Sequence, residues 1–148
     1  MSGETVKTFL IWYLAATFIA GIANGFANSV VGAGSTLIAV LIPVVVAAHL
    51  AAKSHVALGG SAPEGGAAWE AASSLALACV TVSAIAMLIV FALIGGGLIG
   101  ALGVSELAVV FFLILGLAGS FGLNLVVLRV LFPMLVRRWL RAADKGKC

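Results

Sequence analysis

From position 8 to position 52 the chain carries no Asp, Glu, Lys or Arg. A soluble domain cannot hide so long an uncharged stretch, whereas a bilayer calls for one: about 20 apolar residues cross a hydrocarbon core about 30 Å thick. The run is too long for one crossing even when tilted, and it suits two crossings joined by a tight turn. The best place for the turn is Gly32-Ala-Gly-Ser-Thr36, where glycine relieves backbone strain and Ser35 or Thr36 can cap the next helix. One span is thus expected near 8–31 and a second near 36–52, the latter kinked by Pro43.

The remaining sequence extends the pattern. Residues 53–70, KSHVALGGSAPEGGAAWE, read as a surface loop, with Trp69 marking the return to the interface. A second uncharged stretch then gives a third span near 71–95, closing on the glycines at 95–97, Gly100 and Gly103, which suggest a flexible connection. Ser105 and Glu106 suit a helix start, since a carboxylate complements the positive end of the helix dipole, and a fourth span follows near 107–128. Pro133 is expected to bend the chain into a short basic segment, MLVRRWLRAA, lying along the interface. The expected fold is an all-α membrane protein: a single polytopic domain over 1–148, a four-span helical bundle with a short interfacial C-terminal helix and a basic tail over 129–148.

Composition supports the bilayer. The chain is 64% hydrophobic and 9% charged with mean hydropathy +1.29, against about 25% charged residues in soluble domains. No room is left for a soluble catalytic domain. Of the basic residues behind the net charge of +3, Arg129, Arg137, Arg138, Arg141, Lys145 and Lys147 all fall at or after position 129. Four spans put both termini and the 53–70 loop on one side, together with every Lys and Arg, which is the cytoplasmic side of a bacterial inner (plasma) membrane by the rule that basic groups stay inside. Arg137, Arg138 and Arg141 are expected to touch anionic lipid or a partner. Aromatics do not alternate with these charges as base stacking requires, so nucleic acid is not an expected partner. The N-terminal MSGETVK is a poor signal-peptide leader and reads as the start of an uncleaved span. Cys79 and Cys148, one in a span and one in the tail, are not expected to pair.

Inside lipid no hydrophobic force favours one helix neighbour over another, so close packing of small residues takes that role. Gly21, Gly25, Asn28 and Gly32 recur at steps of three and four down one side of the first span, and Ala72, Ala76, Cys79, Ser83 and Ala86 do so in the third. Gly21, Gly25, Ala76, Cys79 and Ser83 are therefore expected to pack helices. The amides of Asn24 and Asn28 need hydrogen-bond partners that lipid lacks. Either they join helices, or with Gly32, Gly34, Ser35 and Thr36 they line a polar path in which the second span offers free N–H groups to an anion. Asn124 is expected near the cytoplasmic end, within reach of water or headgroups.

Among ionisable groups, His49, Lys53, His55, Glu64 and Glu70 cluster at one predicted side, but histidines six apart do not share a helix face, so no metal is expected. Arg129 is expected to snorkel, and Trp12, Tyr13, Trp69 and Trp139 to anchor at the interface. No nucleophile with its base, phosphate loop or haem ligand pair is present, so neither an enzyme nor a cofactor is expected. Two functional expectations remain: a transport or channel component working as a homo-oligomer, or a non-catalytic accessory or assembly subunit beside other membrane subunits. The glycines at 21, 25, 32 and 34 with Leu37-Ile-Ala-Val40 resemble the opening of the TauE/SafE family of sulfite and organosulfonate exporters. The resemblance implies anion export, with the glycine-rich break inside the first hairpin. It covers only that hairpin: Ser35 and Thr36 stand where the family prefers glycine, and the second glycine-rich repeat is missing.

Overall fold

Three of the helix boundaries have a local chemical cause in the described residues. The structure is a computed structural model that describes residues 1–31, 36–102 and 105–145, with side chains at 26–31, 36–40, 90, 91, 93–102 and 106 left undescribed. Four helices account for nearly all of it: α1 (Gly3–Val31), α2 (Thr36–Ala57), α3 (Gly65–Leu102) and α4 (Glu106–Lys145), with no strand among the described residues. Ser2 caps α1 by accepting the Thr5 N–H at 3.4 Å, while the two hydroxyls meet at 2.8 Å. Ser105 caps α4 by accepting the Ala108 N–H at 3.3 Å.

The end of α2 differs from the sequence expectation. The helix continues to Ala57 and closes in a Schellman motif: the Gly60 N–H reaches the His55 carbonyl at 2.9 Å and the Gly59 N–H reaches Val56 at 3.0 Å, with Gly59 at φ +79°. The surface loop is thus 58–64 and not 53–70. Two further helices are longer than expected. α3 runs from Gly65 through the glycines at 95–97 to Leu102, because a helical glycine costs about 1 kcal/mol while an unpaired backbone group in lipid costs several. α4 passes through Pro133 without interruption, so there is no separate C-terminal helix. Phe132, Leu135 and Val136, all buried around the proline, hold one continuous face of α4 against the core.

Three stretches, Gly3–Gly25, Gly65–Ile89 and Leu107–Lys145, are long and apolar enough to cross a membrane, and α2 adds a shorter apolar stretch, Leu41–Ala57. The helices form two hairpins. Thr8 on α1 donates to Ser54 on α2 at 3.4 Å, so the first hairpin is antiparallel. In the second, Glu64 meets Arg137 while Trp69 meets Arg129, again with opposite chain directions. α4 also packs on α2, and α1 lies more lightly on α3, which closes a ring in the order α1, α2, α4, α3.

The buried core sits at one end of this ring. It draws on Phe9 and Tyr13 of α1, Val44 to Ala52 of α2, Ala68 to Cys79 of α3, and Leu128 to Val136 of α4. The contact surface is largely alanine: Ala47, Ala48, Ala51 and Ala52 form one stripe, and Ala68, Ala71, Ala72 and Ala76 another. Small side chains at steps of three and four let backbones approach, as expected for packing in lipid. Away from this end many described side chains face outward: Phe18, Ile22, Leu88, Phe111, Phe112 and Ile114 are all more than half exposed. Among the described residues the chain is knit most tightly at the end that carries the N-terminus, the 58–64 loop and the basic turns of α4.

Candidate functional site

Residues expected to form a site divide into three groups. In the first hairpin, Asn24 is half-buried on α1, and Asn28 and Thr36 lie in α1 and α2 with their side chains undescribed. Gly32, Gly34 and Ser35 lie outside the described residues, so the expected polar path has no geometry at that point. Gly21 and Gly25 are exposed, and a Cβ added at either would meet nothing within 4 Å. Among the described side chains it is alanine, and not these glycines, that brings helices together. Ala76 and Cys79 are fully buried in the α3 stripe, with Ser83 half-buried one turn on.

The second group is a polar layer at the inner edge of the core. The Tyr13 hydroxyl of α1 lies beside Cys79 and Ser83 of α3, so Tyr13, expected at the interface, is instead 6% exposed and part of the α1–α3 contact. Asn124 of α4 is also corrected: at 1% exposure it is shut away from water and headgroups. Its Nδ2 donates to Ser120 Oγ at 3.3 Å, and its Oδ1 is buried with no donor. Hydroxyls along α3 are otherwise satisfied within the helix: Ser73, Ser74 and Thr81 donate to the carbonyls of Trp69, Glu70 and Leu77 at 2.7 to 2.9 Å. They need no partner from another helix and do not mark a polar path.

The third group is the basic end. Trp139 of α4 receives the Lys53 ammonium 5.3 Å from its ring centroid and the His49 ring at 5.3 Å, so it clasps α2 to α4. His55 contacts Phe132 at 6.0 Å, and its Nε2 pairs with the Ser61 carbonyl at 3.1 Å. A Cβ on Gly60 would fall 2.3 Å from that ring, so Gly60 gives His55 its seat. Both histidines hold structure, and among the described residues no three His, Cys, Asp or Glu are placed to hold a metal.

Arg129 does not simply snorkel. Its guanidinium sits 5.2 Å from the centre of the Trp69 ring, and its Nε is buried without an acceptor. Arg137 pairs with Glu64 at 2.8 Å, both side chains being more than half exposed; an ion pair so hydrated adds less than about 1 kcal/mol. Arg129, Arg137 and Arg141, with Pro63, Glu64 and Met134, surround an open cleft of about 550 Å³. Arg138 and Lys145 border an adjoining cleft that shares Met134 and Arg141. Sequence reading grouped Arg137, Arg138 and Arg141 and left out Arg129, which at eight and twelve residues' distance lies about 80° and about 120° around an ideal helix from Arg137 and Arg141, so that only the cleft shows that they meet.

No family model, no curated protein and no solved structure matches this chain. The exporter resemblance of the first hairpin therefore rests on its glycine spacing alone.

Proposed function

We propose that the chain is a four-span membrane protein that works as one subunit of a larger membrane assembly, docking through the glycine faces of α1 and α4. One observation carries this reading. The alanine stripes are already used within the chain, whereas Gly21 and Gly25 on α1 and Gly116, Gly119 and Gly122 on α4 face open space. Glycine steps of three and four allow close helix approach in lipid, and these are the faces left to make one. Gly25→Leu should leave the monomer stable within about 0.5 kcal/mol, as for substitutions away from contacts, yet release the protein from its companions. Co-purification before and after the change tests this, and unchanged co-purification rejects it.

A transport role inside such an assembly, in anion export or a channel, is the second reading. Asn124 favours it, because a buried amide oxygen without a donor is a costly feature that a permeating solute or partner could satisfy. On this reading Asn24 and Asn28 extend the polar lining toward the first hairpin. Asn28→Leu should then abolish flux through reconstituted vesicles while leaving the particle intact, and full flux by the variant removes the idea.

A further inference from the structure

The cleft between the start of α3 and the C-terminal half of α4 is lined by two unlike sets of side chains. Arg129, Arg137 and Arg141 all border it: Arg137 and Arg141 lie one turn apart on one side of α4, and Arg129 reaches the cleft from about two turns further toward the start of the helix. Among the described residues Glu64 is their only acidic neighbour in the cleft, and it is engaged with Arg137, which leaves Arg129 and Arg141 without a described carboxylate there. A guanidinium carries five N–H donors in a fixed fork that matches phosphate oxygens, and the Nε of Arg129 is buried with no acceptor.

The second set is apolar and outward-facing. Val130 and Met134 border the same cleft at 67% and 56% exposure. Val126 and Leu123, at 61% and 43%, continue the line up α4 at steps of four and three, a track about 16 Å long at the helical rise of 1.5 Å per residue. Trp69 stands beside Arg129, half exposed, where an interfacial aromatic would mark headgroup level. A free phosphate would use the basic set only.

We propose that this cleft binds one anionic phospholipid, with its phosphate on Arg129 and Arg141 and an acyl chain along Leu123, Val126, Val130 and Met134. The site needs only that the chain lies in a bilayer and is independent of the assembly reading. Arg137 is shared between the lipid and Glu64, so the carboxylate opposes binding.

The test is lipid retention by the full chain in mild detergent, read by native mass spectrometry and titration with phosphatidylglycerol or phosphatidylcholine. Phosphatidylglycerol should be held about tenfold more tightly. At about 1 kcal/mol per basic residue near a lipid surface, Arg141→Gln should weaken it about fivefold and the Arg129→Gln/Arg141→Gln pair about 30-fold. Glu64→Gln should strengthen it, whereas Lys7→Gln, which removes an exposed charge on α1, should leave it unchanged. Millimolar inorganic phosphate should not displace the lipid. Equal retention of the two lipids overturns the proposal, as do equal losses from Lys7→Gln and Arg141→Gln, or displacement by inorganic phosphate. Should Arg129→Gln disturb folding through its Trp69 contact, Arg141→Gln and Glu64→Gln, both at exposed positions, carry the test.

Discussion

Phe132→Ala is expected to destabilise the bundle by about 3–5 kcal/mol, the range for emptying a buried phenylalanine site. The side chain is 1% exposed and lies in the core just before Pro133, with the His55 ring 6.0 Å away. Removing it takes away the surface that seats α2's last turn on α4, and the fully helical backbone around Pro133 gives the site little freedom to collapse. Unfolding followed by far-ultraviolet circular dichroism in detergent, against graded denaturant, reads the loss. A change below about 1 kcal/mol would mean that α4 is not held by this core.

Ala76→Leu should act by the opposite route, forcing volume into a contact with no space for it. Ala76 is fully buried in the α3 stripe, and overpacking of this kind costs typically about 1–3 kcal/mol, with more where backbones touch. Since lipid is as apolar as leucine, no gain in hydrophobic burial compensates. The informative comparison is with Gly21→Leu, whose new side chain meets nothing within 4 Å in the single chain. Measured by the same unfolding assay, the alanine variant should be strongly weakened and the glycine variant nearly neutral. Equal losses would place the glycine inside the folded monomer and contradict the ring of contacts described above.

Much of the architecture was legible because lipid imposes simple rules. The uncharged runs located the helices, while the turn expected at Gly32 to Thr36 falls on residues 32–35, outside the described part of the structure. What misled was punctuation. Gly95 to Gly97 and Pro133 end helices in water, but where unpaired backbone groups are so costly the helix carries on through them. The charged and polar composition of 53–70 concealed a helix end whose true marker was Leu58-Gly-Gly60, a left-handed glycine one place past the cap. Candidate site residues were harder to read. Small-residue spacing is shared by Gly21 and Gly25 with the alanine stripes, and only tertiary structure separates stripes in use from stripes left open. Asn124 likewise gave no sign of burial, because that depends on where α4 turns toward the other helices.

The central claim is that the open glycine faces of α1 and α4, where Gly21, Gly25, Gly116, Gly119 and Gly122 meet nothing within 4 Å in the single chain, are covered by other membrane helices. The mass of the native particle, extracted from its own membrane into lipid discs and resolved into its components by mass spectrometry, tests it most directly. A particle holding further copies or other membrane proteins is the expected result, and its composition separates a homo-oligomer from a mixed complex. A particle containing one copy of this 14.9 kDa chain and lipid alone would contradict the claim.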